Sequence, residues 1–358
     1  MTLVYSTPQQ FGAKGDGVTD DTAALQSWLS DASDAQKIAL LPPAPGPFYR
    51  ITSELAVSNV LYLTGAGGGK HATSGSYTSR SQIRQFTPGA NGLHLLNAVD
   101  SIHIDNVVIS AAPAGNYTND CSGIFFDGGS PDSDCSILDQ VLVTGFGTGV
   151  NVASAADSSF RGCSFGRNGV GVAVSGVANN ITLESCQLSY NYNHQVYATA
   201  ADNLMIKGSD IAAETPGSQG ILGIGNVNLV LIGDRFEDYS TNTMLILGVT
   251  PDNLYNWMPQ LTAISTKFYN YSHTTRYSIA LTNCEWASLI DVKMEAVQAS
   301  GLGLVVRVPD DGSLLTVGAF PSRKCLFVNG AGTTQIRTAT MVDPAALMGL
   351  GAPSTQAK

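Results

Sequence analysis

Five carboxylates set close together carry the strongest chemical signal in this sequence: Asp210, Glu214, Asp234, Glu237 and Asp238. Cleaving a glycosidic bond takes two carboxyl groups. One protonates the leaving oxygen, while the other attacks the anomeric carbon or activates water. A separation of about 5–5.5 Å retains configuration, and about 6.5–9.5 Å inverts it. Lys207 and Arg235 stand among these acids and would neutralise the carboxylate of a uronan, where elimination becomes the reaction. Tyr190, Tyr192, His194 and Tyr197, in the run YNYNHQVY, together with Trp257, offer aromatic faces to sugar rings. Glu184 and Glu295 are second choices as acids. Each group has a bland alternative. The acids and cations can form a balanced, solvated face, and the Tyr/His run can be a corner stabilised by Asn.

These residues need elements that bring them together, and a repeat supplies them. One short phrase recurs eight times between about Ser101 and Val297, ending at Ile109, Val143, Phe165, Leu188, Ile211, Phe236, Phe268 and Met294. Five residues earlier runs a second apolar column, Ile104, Leu138, Phe160, Leu183, Ile206, Leu231, Ala263 and Leu289. A third lies two residues before the end: Val107, Val141, Cys163, Cys186, Ser209, Asp234, Thr266 and Val292. Repeats of 20–50 residues signal a solenoid, because one unit cannot bury its apolar face without neighbours. Period-two alternation broken by Gly, Asn and Asp makes the units strands with tight corners. Further strands fall between copies, at Gly169 to Val174, Gln195 to Ala198 and Gly220 to Gly225. The expected fold is all-β, a right-handed parallel β-helix with two or three strands per coil and a short N-terminal capping helix. Groups on adjacent coils then stand about 5 Å apart, which turns the acids into a ladder. Asp234 is the anomaly: in an inward column it must be paired, neutral, or turned into a cleft.

Composition narrows the classes. The chain has 358 residues, 44% hydrophobic and 13% charged, with 38 glycines, which suits a β-rich chain full of corners. The net charge of −10 opposes nucleic-acid binding, which needs basic patches. No window approaches 18 apolar residues, so no membrane span is expected. Met1 to Gln10 lacks the basic start and apolar core of a secretory signal. One solenoid domain is expected over 1–330, with the entry and cap at 11–35 and a flexible tail at 331–358.

At the entry, FGAKGDGVTDDTAALQ (Phe11 to Gln26) combines a glycine turn, an acidic N-cap from Asp20 or Asp21, and an apolar stripe of Leu25, Trp28 and Leu29. This motif, with LLPP at Leu40 to Pro43, YRI at Tyr49 to Ile51 and YLTGAG at Tyr62 to Gly67, resembles the entry of the pectate-lyase-3-like β-helix family. That family includes phage tailspike depolymerases, hydrolases, lyases and epimerases. The segment YLTGAGGGKHATSGSYTSRSQI is similar, more faintly, to inulin fructotransferases. The resemblance covers roughly the first 65 residues and contains no catalytic residue that can be carried over. It implies a polysaccharide or oligosaccharide partner, a parallel homotrimer, and an extracellular or virion-associated setting. Further loops are expected at Thr64 to Ser81, Ala111 to Cys121, Gly128 to Cys135 and the insertion Gly248 to Trp257.

Other motifs carry little. Gly162-Cys163-Ser164-Phe165-Gly166 fits G-x-S-x-G, but a strand follows where a nucleophile elbow needs a helix. Gly65 to Lys70 fails both phosphate-loop templates. The five histidines and six cysteines have no metal-ligand spacing, so neither metal nor cofactor is expected. Cys163 and Cys186 are read as stacked free thiols. The expected function is polysaccharide cleavage by an acid/base pair. A fructotransferase or epimerase activity, and a non-catalytic glycan-binding spike, are the alternatives.

Overall fold

Apolar side chains at every second position give each short strand one face to bury, and three such strands close a coil. The computed structural model describes residues 4–67, 80–96, 101–112, 120–127, 135–199, 201–238, 244–248, 259–270, 277–282, 286–290 and 292–296, with backbone strands at 302–308, 315–316, 325–329 and 336–337. A representative coil runs Ala201–Lys207, Asp210–Ala213 and Gln219–Ile224. Each of these strands pairs in parallel with the equivalent strand one coil on: Val227–Ile232, Arg235–Asp238 and Leu245–Gly248. The molecule is a right-handed parallel β-helix with three faces. Strands such as Gln219–Ile224 make the first face, Ala201–Lys207 the second and Asp210–Ala213 the third. The third face is a ten-stranded ladder from Tyr49–Ile51 to Lys293–Ala296. The long strands Thr148–Ala156 and Val170–Asn179 join the other two faces into one sheet.

All three sequence columns are structural columns. Ile109, Val143, Phe165, Leu188, Ile211, Phe236, Phe268 and Met294 are aligned rung by rung on the third face. The second column aligns in the same way, from Ile104 to Leu289. Its Phe160, like Phe165, Phe236 and Phe268 of the first column, is fully buried, each such side chain contributing about 1.5–3 kcal/mol. Phe236 and Phe268 stack with centroids 4.4 Å apart.

The third column sits at the corner between second and third faces. The residue before each member from Val107 to Thr266 has positive φ: Asn106, Gln140, Gly162, Ser185, Gly208, Gly233 and Ser265. One left-handed residue per rung turns the chain and aims the next side chain inward. The turn from third face to first is tied from inside. Asn191 Oδ1 accepts from Asn168 N at 2.9 Å, Asn191 Nδ2 donates to Phe165 O at 2.9 Å, and Asn168 Oδ1 accepts from Phe146 N at 3.1 Å. Buried backbone groups that the ladders miss are thereby satisfied.

Helix Thr22–Asp34 closes the N-terminal end, with Leu25, Trp28 and Leu29 fully buried. The Gln26 side chain completes the first rung: Nε2 donates to Ala56 O at 2.7 Å, and Oε1 accepts from Ala56 N at 2.8 Å. An open sheet edge is thus covered. The acidic pair divides its work differently from a simple cap. Asp21 holds the N-cap position, yet its carboxylate turns back to accept from Lys14 N at 2.6 Å and Gly15 N at 2.9 Å. Asp20 instead accepts from Thr22 N at 3.1 Å. A Cβ on Gly15, at φ 59°, would meet Pro45 and Tyr49 at 2.8 Å, so the tight turn requires glycine.

The first face continues past Val308, through Leu302–Val308 and Cys325–Asn329. Of 331–358 only the strand Ile336–Arg337 is described. Residues 68–79, 113–119 and 128–134 and the insertion at 249–258 lie outside the described residues.

Candidate active site

The solenoid collects three of the five carboxylates into one patch on the third face. Asp210 opens the strand Asp210–Ala213, with Arg235 directly above it on the next rung. Glu237 sits over Ala212, which is buried beneath the acids. Asp210 and Glu237 are therefore one rung and two residues apart, about 8 Å between backbones for ~4.8 Å strand spacing and ~3.3 Å rise. Glu214 follows the same strand as Asp210 and accepts a hydrogen bond from the Tyr190 hydroxyl.

The electrostatics couple the three. Burial, then the charges of Glu237 and Asp210, push the Glu214 carboxyl up, against the Tyr190 hydrogen bond. Its Oε2 is shielded from solvent and has no hydrogen-bond partner among the described residues. Burial also raises Glu237, with Asp210 adding to the shift and the bonded Arg235 opposing it. Only 12% of the Glu237 side chain is exposed. Arg235 lies over the Tyr269 ring at 5.5 Å, and Arg167 over the Tyr190 ring at 5.9 Å. Toward the N-terminus the patch borders a shallow trough lined by residues that include Ser164, Gly166, Arg167, Gln187, Ser189 and Tyr190.

Among the described residues, the remaining candidates do not join this patch. Asp234 is the principal correction: it is 1% exposed, inside the coil at the corner. Its Oδ1 accepts from Ser209 N at 2.8 Å and its Oδ2 from Ile232 N at 3.0 Å, so it closes a corner instead of facing a cleft. Burial pushes its carboxyl up to about 7, opposed by those two N–H groups. Lys207 pairs with Glu184 at 2.9 Å on the second face, which is the balanced-surface alternative realised. His194 and Tyr197 lie on the first face, around the turn from the acids, with rings stacked at 5.5 Å. Burial lowers the His194 imidazole. Tyr192 is exposed at the turn. The side chains of Asp238 and Glu295, and all of Trp257, lie outside the described residues.

Cys163 and Cys186 are free and buried, donating to Leu138 O at 3.4 Å and Phe160 O at 3.2 Å. Ser164 is buried in a strand. No cluster of metal-ligating side chains occurs among the described residues. No described helix is long and apolar enough to cross a membrane. Sequence reasoning missed Tyr269 and Arg167. Tyr269 is in register with Glu237, as the alignment of Phe268 with Phe236 in the first column already implies.

The architecture defines a class, the right-handed parallel β-helices, and solved structures place the chain within it. No protein-family model and no curated protein matches the sequence. By structure it is similar to the Agl-KA catalytic domain, with TM-score 0.59 and 12% identity over 94% of this chain and 68% of that one. The catalytic unit of a GH87 α-1,3-glucanase from Streptomyces thermodiastaticus gives TM-score 0.59 and 14% identity over 95% and 68%. Tailspike protein 2 of the Escherichia coli O157:H7 bacteriophage CAB120 gives TM-score 0.59 and 13% identity over 96% and 48%. The chain thus spans about two thirds of the length of the first two and about half of the tailspike. At these identities the likeness establishes the fold.

Replacing Asp234 tests its structural role. Asp234→Asn leaves one backbone N–H without an acceptor, a loss of about 1–3 kcal/mol. The folded carboxyl titrates near 7 and the unfolded one near ~3.9, so between those values the folded state holds the extra proton. Asp234's contribution therefore falls as pH rises through that window and levels off above it. Urea midpoints from about pH 4 to about pH 8 should decline more steeply in the wild type than in the variant. A wild-type decline no steeper than the variant's overturns the assignment.

Proposed function

We propose that this protein cleaves a polysaccharide by general acid/base catalysis on its third face. The carrying observation is the electrostatically coupled trio Asp210, Glu214 and Glu237, set on two rungs beside an open trough. Glu214 is the proton donor, because burial and two like charges favour its protonated form. Glu237 deprotonates the attacking water and Asp210 helps hold it, with Arg235 opposing the rise of the Glu237 carboxyl. Tyr190 positions Glu214, and Tyr190 and Tyr269 offer ring faces to the glycan. The α-1,3-glucanase fold match supports hydrolysis, and the tailspike match supports an extracellular or virion-associated setting.

Glu214→Gln and Glu237→Gln should each lower turnover about 10²–10⁴-fold while glycan binding persists. Reducing ends released from a panel of capsules, pectin, alginate, inulin and α-glucans provide the assay. Binding without turnover in the wild type would make the protein a glycan-binding spike instead.

Tyr190→Phe gives a sharper readout. It removes a hydrogen bond that favours ionised Glu214. The alkaline limb of the pH–rate profile, set by loss of the donor proton, should move to higher pH. An unmoved limb removes Glu214 from the donor role.

We also propose that the chain works as a parallel homotrimer. Outward columns on the upper coils are apolar: Met205, Val230 and Ile232 on the second face, and Leu222 and Ile246 on the first. Parallel association places identical rungs at the same height and covers those columns. Light scattering should give three times the chain mass, and a single-chain mass overturns the trimer.

A further inference from the structure

The cations beside the carboxylates are already paired, Lys207 with Glu184 and Arg235 with Glu237. At the opposite end of the third face two arginines are not. Arg50 and Arg84 face each other on adjacent rungs, about 4.8 Å apart, with no ion pair to either among the described residues. They interleave with Phe48 and Phe86. Arg50 lies 4.5 Å from the Phe86 ring, Arg84 lies 5.1 Å from the Phe48 ring, and the rings are 5.5 Å apart. Both Nε atoms are buried without a hydrogen-bond partner.

Asp20 acts on Arg50 through its charge, but its oxygens are held by other donors. Asp20 accepts from the Thr22 and Thr52 hydroxyls at 2.5 Å each. Arg50 itself donates to Val18 O at 3.3 Å. Stacking on aromatic faces leaves guanidinium edges free to fork onto a planar or tetrahedral anion. An anion held by both guanidinium edges would relieve like-charge repulsion.

Above Arg84 the same column holds Ser110, Thr144, Gly166, Ser189 and Ala212 before reaching Glu237. Ser110, Ser189 and Ala212 are buried, so the pair stands as a separate subsite, six rungs or about 29 Å from the acids. We propose that Arg50 and Arg84 form an anion-binding subsite for a carboxylate, sulfate or phosphate substituent of a polysaccharide that meets the N-terminal end of the third face. The inference rests on the polysaccharide reading above, but the subsite is read as binding and can fail separately.

The test is isothermal titration calorimetry of the full chain with oligogalacturonate, dextran sulfate, neutral dextran and inorganic sulfate alone. The wild type should bind the two anionic polymers at least about tenfold tighter than neutral dextran, with a preference that weakens with salt. Arg84→Gln should abolish that preference. Arg84→Lys, which keeps the charge and loses the fork, should retain part of it and serves if the glutamine variant does not fold. Unchanged anion preference in both variants, even with a lowered melting temperature, would make the pair a structural staple and overturn the proposal. No preference in the wild type would do the same. Inorganic sulfate binding as tightly as dextran sulfate would reassign the pair to free anions and overturn the polysaccharide assignment. Loss of turnover in Glu214→Gln bears on the acids alone.

Discussion

A single left-handed residue at the corner between second and third faces governs much of this molecule. It bends the chain without adding length, so on the seven rungs from Val108–Ala111 to Lys267–Asn270 the third-face strand starts in the same phase. It also forces the following side chain inward. Only three of the seven corner residues, Gly162, Gly208 and Gly233, are glycine; the others are Asn106, Gln140, Ser185 and Ser265. The strain of a left-handed side chain is accepted repeatedly because the stacked rungs above and below hold it. The inward column then has to suit a narrow corner, and it does so with Val, Cys, Ser, Asp and Thr.

That constraint separates the two kinds of carboxylate. Asp234 comes after the corner and is trapped inside, where two backbone N–H groups are its only described partners. Asp210 and Glu237 fall on the outward phase of the third-face strands, two residues out of register with each other. Glu214 lies just past a strand end, within reach of the Tyr190 hydroxyl. Four acids close in sequence thus receive different environments, one sealed and three coupled. Burial raises Glu214 and Glu237 together and neighbouring acids add to both, with Arg235 restraining only the second.

The interior explains why the patch is rigid. Beneath Glu237 lies buried Ala212, and beneath both sheets run stacked aromatics such as Phe236 and Phe268. The Asn168–Asn191 ladder fixes the turn that carries Tyr190. Small displacements of one rung are resisted by its neighbours on both sides, as expected of a quasi-one-dimensional stack.

The sequence alone determined the rungs. Period-two alternation and the spacings of 23, 23 and 25 residues fixed which residues align, because a parallel stack repeats the same side-chain phase at each coil. It also determined the N-terminal cap, from the stripe Leu25, Trp28 and Leu29. Only the tertiary structure decided which acids share solvent. That depends on corner dihedrals, which no residue type signals when Ser, Gln and Gly all serve. It also depends on partners from distant segments, as when Glu184 removes Lys207 from the site, or when the Tyr190 hydroxyl reaches Glu214.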